Sequence, residues 1–88
     1  RVIDIYRELQ QFGIRVDVYD PWANNEEVQR TFGFALTGTP ENRSYDAIIL
    51  AVAHREFAEL DYAAWKSAGS IIFDTKAVIP RQWADARL

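Results

Sequence analysis

The sequence predicts an α/β domain of three layers, with helices on both faces of a short parallel sheet. Three observations predict it. Helix-like and strand-like segments alternate along the chain, starting with a helix and ending with a strand. Two of the strand-like runs are apolar almost throughout, which suits parallel strands covered on both faces. Glycines stand where the helical patterns stop, at Gly13, Gly33 and Gly69.

The first helix rests on Val2, Ile5, Tyr6, Leu9 and Phe12, which recur at spacings of three and four, apart from the adjacent pair Ile5-Tyr6, with Gly13 after it. Ile14 to Asp20 alternates apolar and polar residues and is rich in β-branched ones, so it reads as a strand that Pro21 ends. Asn24 or Asn25 can cap a second helix, with Glu26 and Glu27 in its first turn and Val28 and Phe32 on its apolar side. Phe34 to Leu36 reads as a short strand or extended loop, and residues 38–44 as a polar loop or irregular helix. Asp46 to Ala53 is the clearest strand. His54 to Leu60 reads as a short helical turn. Asp61 caps a further helix, with Leu60 and Trp65 able to form a hydrophobic staple across its start. Ser70 to Asp74 is a second buried strand. Ile79 to Leu88 reads as a polar tail with weak helical tendency, anchored by Trp83.

Composition sets the limits. The chain has 88 residues, 49% hydrophobic and 26% charged, with ten basic against thirteen acidic side chains for a net charge of −3. That length is one domain, residues 1–88, with a thin stability margin. The apolar content excludes disorder. The net charge does not suit a nucleic-acid surface. No apolar run approaches the ~20 residues that cross a bilayer, so no membrane partner is expected. No cysteine is present, which excludes a disulfide scaffold, a thiolate metal site and a thiol nucleophile, and fits a cytoplasmic location. The chain opens on Arg1 with no capping residue before it, and the expectation is a piece of something longer.

In open parallel sheets ligands bind beyond the carboxyl ends of the strands. The residues to weigh are therefore Asp20, His54, Asp74, Thr75 and Lys76. Lys76 carries a point charge suited to a phosphate, although a solvated surface lysine, or one paired with Asp74, is the plainer reading. His54 is the sole histidine. Without a partner it makes no metal site, and a capping role is simpler than catalysis. Asp20 could accept from a ribose hydroxyl or cap the turn at Pro21. Trp22, Trp65 and Trp83 could stack on a base but suit core and anchor positions better. No Gly-x-Gly-x-x-Gly run and no P-loop occur, so no standard dinucleotide cradle is expected.

Four segments, taken together, resemble a known family. They are Val16 to Ala23 (V-x-V-Y-D-P), Tyr45 to His54 (Y-D-A and a hydrophobic strand), Phe57 with Leu60-Asp61, and Ile72 to Lys76 (I-F-D-x-[KR]). Their order and spacing are similar to the C-terminal, UDP-binding domain of the UDP-glucose/GDP-mannose dehydrogenase family. The Ala53-His54 pair resembles the UDP-N-acetylhexosamine 6-dehydrogenases of bacterial surface-polysaccharide synthesis. The resemblance implies a Rossmann-like fold and a UDP-sugar ligand. It implies an NAD-dependent oxidation of the sugar C6 hydroxyl to a carboxylate, with NAD and a catalytic cysteine supplied by an N-terminal domain of the same protein. It implies a homo-oligomer. It assigns Lys76 to the bound UDP-sugar, leaves Asp74, Thr75, His54 and Asp20 as candidates at the rim, and places no catalytic residue in this chain. It also implies that a central strand carrying G-L-x-F-K is absent, and with it half of the UDP site, and, since the catalytic cysteine lies elsewhere, that the 88 residues bind and do not catalyse.

A second reading is a non-enzymatic, receiver-like signalling module, with Asp20 as phospho-acceptor and Lys76 as its lysine. The end of the Asp46 strand lacks the Ser or Thr that such a module needs, and the acidic pair is missing.

Overall fold

The computed structural model describes residues 2–40 and 43–87. The opening of the chain at Arg1, the part of the 38–44 loop at residues 41 and 42, and the last residue of the tail lie outside the described residues. The chain divides into two compact units, residues 1–40 and 41–88.

The first unit holds two helices. Helix α1 spans Val2–Gln11, and Gly13, at φ 79°, turns the chain so that Ile14 N–H donates to the Leu9 carbonyl. Helix α2 spans Asn25–Phe32. Its cap is Asn24, whose side chain accepts from Glu27 N–H at 3.0 Å. Asn25 does something else, accepting from Leu36 N–H at 2.8 Å, eleven residues on. Gly33 ends the helix at φ 85°, where a side chain would be strained, and its N–H donates to the Gln29 carbonyl. Tyr6 stacks on Phe34 with ring centroids 4.2 Å apart.

The predicted strand at Ile14–Asp20 is not one. The segment forms no ladder among the described residues; within it, the Val18 carbonyl accepts from Thr37 N–H at 2.8 Å. Alternation and β-branching make a chain extended. A strand also needs a neighbour to exchange bonds with.

The second unit is an α/β sheet structure. Strand β1 (Ala47–Leu50) leads through a 3-10 turn (Arg55–Glu59) to helix α3 (Tyr62–Ser67) and strand β2 (Ile71–Asp74). A second 3-10 turn (Arg81–Trp83) leads to strand β3 (Ala86–Arg87). All three strands are parallel, in the order β1-β2-β3, with Leu50 opposite Asp74 and Asp74 opposite Arg87. Asp61 caps α3 by accepting from Ala64 N–H at 3.1 Å.

The core is Leu50, Phe57, Tyr62, Trp65, Ile72 and Ile79. Trp65 Nε1–H donates to the Arg43 carbonyl at 3.0 Å, and Tyr62 packs edge-on against its ring. The Tyr62 hydroxyl donates to the Phe57 carbonyl. Burial first, and then the Asp74 charge, push the Tyr62 phenol well above its ordinary pKa. The expectation of strands covered on both faces is corrected. One face of the sheet is buried, while Ile49, Ile71 and Phe73 on the other stay 40%, 48% and 40% exposed. A period-2 strand hides both faces only when an element lies on each, and apolar side chains alone do not supply one.

The tail also differs from expectation. Beyond the turn at Arg81–Trp83 it forms β3, which Ala86-Arg87 does not announce. Asp85 explains its place. Its carboxylate accepts from Ile72 N–H at 2.7 Å and from Lys66 Nζ at 2.6 Å, hooking the tail onto β2 and α3. That Lys66 bond first, then the Ile72 amide, hold the Asp85 carboxyl below its ordinary pKa.

Candidate functional site

The carboxyl ends of β1 and β2 lie side by side, because Leu50 is opposite Asp74 in the register. Thr75 joins them. Its N–H and its hydroxyl both donate to the Leu50 carbonyl, at 3.1 and 2.7 Å. The next residue, Lys76, is exposed. A parallel sheet thus presents a cation just beyond its strand ends, the side on which open α/β sheets take ligands.

Asp74, two residues before this lysine, is fully buried, at 0% exposure. One oxygen accepts from Lys76 N–H at 3.2 Å and the other from Ile79 N–H at 2.9 Å. Arg87 Nε is 4.0 Å from the second oxygen. Burial by itself raises the pKa of such a carboxyl. The amides of Ile79, Val78 and Lys76 and the Arg87 charge outweigh it, so the Asp74 carboxyl stays below its ordinary pKa and remains ionised. What Asp74 takes from Lys76 is the backbone N–H. The Lys76 side chain stands at the surface.

His54 lies four residues beyond β1, at the start of the 3-10 turn. Its side chain makes no cap there, which corrects the capping reading. The ring packs against Phe57 with centroids 5.2 Å apart, and its backbone carbonyl accepts from Phe57 N–H. Asp20 belongs to the first unit. Its carboxylate accepts from Trp22 N–H at 2.9 Å, which is the turn-capping role beside Pro21. Trp65 is core, Trp83 is half-buried, and Trp22 is 62% exposed, so it is no core residue.

Two participants escaped sequence reasoning. Arg87 faces Asp74 from β3 and donates to the Ile79 carbonyl, and Asp85 hooks that strand in place. The signal available was a charged pair flanking Ala86 in a tail that reads as polar.

The turns do not fit a dinucleotide. After β1 the chain runs Ala51-Val52-Ala53-His54, and after β2 it runs Thr75-Lys76-Ala77-Val78. Neither holds the glycines that let a pyrophosphate approach backbone at a helix start. No helix among the described residues is long and apolar enough to cross a membrane.

Comparison with known proteins gives consistent results. The family model "UDP-glucose/GDP-mannose dehydrogenase family, UDP binding domain" matches residues 1–81. The chain is 38% identical over its whole length to a UDP-N-acetyl-D-glucosamine 6-dehydrogenase of Pseudomonas aeruginosa, covering 22% of that protein. It is 35% identical over its whole length to the enzyme of the same name from Salmonella typhi, covering 21% of it. It is 35% identical to Protein CapL of Staphylococcus aureus, over 90% of this chain and 19% of that protein. The chain thus spans about a fifth of the length of these curated relatives. No solved structure gave a significant match.

Proposed function

The chain belongs to the UDP-glucose/GDP-mannose dehydrogenase family as its UDP binding domain, and on that premise we propose that residues 1–88 act as one domain holding a UDP-sugar, with Lys76 on a phosphate. The observation that carries this reading is the exposed lysine directly beyond two adjacent parallel strand ends. Family membership sets aside the receiver-like alternative.

The domain contributes binding and orientation. The reaction is oxidation of the sugar C6 hydroxyl to a carboxylate, with NAD held by a separate N-terminal domain of a cytoplasmic, homo-oligomeric dehydrogenase that serves surface-polysaccharide synthesis. The names of the two 6-dehydrogenase relatives favour a UDP-N-acetylhexosamine as substrate. The turns after β1 and β2 favour a place for NAD outside this chain, and no hydride chemistry is assigned to these residues. Thr75 and His54 lie at the same rim as secondary contacts. Asp20, beside Pro21 in the first unit, is a separate candidate contact.

Within this site Lys76 supplies charge to the phosphate but no fork geometry, since an ammonium cannot bind two oxygens in the planar manner of arginine. Removing it takes away a charge-assisted contact of roughly 1.5–3 kcal/mol. Calorimetry of UDP binding to the full-length gene product tests this. Lys76→Ala should weaken binding about ten- to hundredfold. Unchanged affinity would remove Lys76 from the site.

A further inference from the structure

We propose that Asp74 is a positioning residue. Its buried carboxylate, closed over by Arg87, fixes the Thr75–Ile79 loop so that Lys76 meets the ligand, and Asp74 itself touches no ligand. The inference rests on the reading of Lys76 as a phosphate contact.

An aspartate at the end of a strand ordinarily faces water. Burying a carboxylate without partners is costly, so a buried one marks a place where the surroundings are built around it. Here the surroundings are the loop that carries Lys76. The two Asp74 oxygens take the N–H groups of Lys76 and Ile79, three residues apart. Arg87 adds a second grip from β3, donating to the Ile79 carbonyl while its charge lies beside Asp74. Thr75 is pinned to the Leu50 carbonyl through both its N–H and its hydroxyl. Each end of the loop is therefore held by at least two bonds.

Between the two ends Ala77 sits at φ 55°. Alanine enters this left-handed region only when the contacts around it over-determine the backbone. The carboxylate grips on either side are those contacts. The result is a backbone held at both ends under a long, exposed side chain. Fixing the Lys76 backbone in advance lowers the ordering entropy lost when its ammonium meets an anion.

The chemistry requires a carboxylate specifically. Two N–H donors approach two different oxygens. An asparagine offers one carbonyl oxygen, and its amide nitrogen would point a donor at a donor.

The test is a double-mutant cycle read by UDP calorimetry on the full-length gene product. Asp74→Asn should weaken UDP binding about tenfold in the wild-type background. In the Lys76→Ala background it should have no further effect, because the loop then has nothing to position. Arg87→Gln provides a second variant with a partly exposed side chain, should Asp74→Asn fail to fold. It should weaken binding roughly threefold and show the same loss of effect without Lys76. Equal weakening in both backgrounds would mean general destabilisation and overturns the inference. If Lys76→Ala weakens UDP binding while Asp74→Asn and Arg87→Gln do not, the positioning inference alone falls. If Lys76→Ala leaves the affinity unchanged, the phosphate reading falls first, and the inference with it.

Discussion

Residues 1–40 and 41–88 both carry amphipathic helices, yet their interiors differ. Helices α1 and α2 bury no residue, and Phe12, which follows α1, is 76% exposed. Helix α3 has only six residues and buries two of them, Tyr62 and Trp65. The shorter helix is the better buried because its unit contains a sheet. Tyr62 and Trp65 are buried in the same unit as Leu50 and Ile72 of the sheet and Phe57 and Ile79 of its connections. In the first unit the apolar side chains meet mainly each other, as Tyr6 meets Phe34 and Phe34 meets Phe32. An apolar stripe therefore states what a helix can bury, and the surface facing it decides whether anything is buried.

The most severe way to break this contrast is Trp65→Ala. It removes the largest core side chain and its bond to the Arg43 carbonyl, and should destabilise residues 41–88 by about 3–5 kcal/mol. Urea unfolding followed by hydrogen exchange in α3 and β2 would measure it. A loss under about 1 kcal/mol would mean the second unit does not depend on this core.

A smaller effect should come from acid. Asp74 and Asp85 both lie in the second unit and both are held below the ordinary carboxylate pKa. A folded-state pKa below the unfolded one gives stability that is complete above the unfolded value and lost as pH falls through the folded one. Urea midpoints of the second unit should therefore fall below about pH 4. Asp74→Asn should flatten that fall, and an equally steep acid limb in the variant would deny the Asp74 contribution.

The same contrast explains what could be read from the sequence. Helix starts were legible because Asp61 and Asn24 act on amides three residues away, within the reach of local pattern. Strand β3 was not, because Ala86-Arg87 has no strand signature and is placed by Asp85 reaching back thirteen residues to Ile72. Ile14–Asp20 carries a strong strand pattern and forms no ladder among the described residues, since pattern does not supply a partner. At the candidate site the exposed position of Lys76 just beyond a strand end was legible, because the apolar run stops at Asp74. The work of Asp74 was not, because the sequence does not reveal that its carboxylate turns inward to backbone N–H groups instead of outward to the lysine ammonium.

The central claim is that the rim beyond β1 and β2 holds the phosphates of a UDP-sugar. Hydrogen–deuterium exchange of the full-length gene product with and without saturating UDP tests it most directly. The account predicts that UDP slows exchange of the amides from Thr75 to Ile79, and that uridine, lacking the phosphates, does not. Protection confined to residues 1–40, or equal protection by uridine, would contradict it.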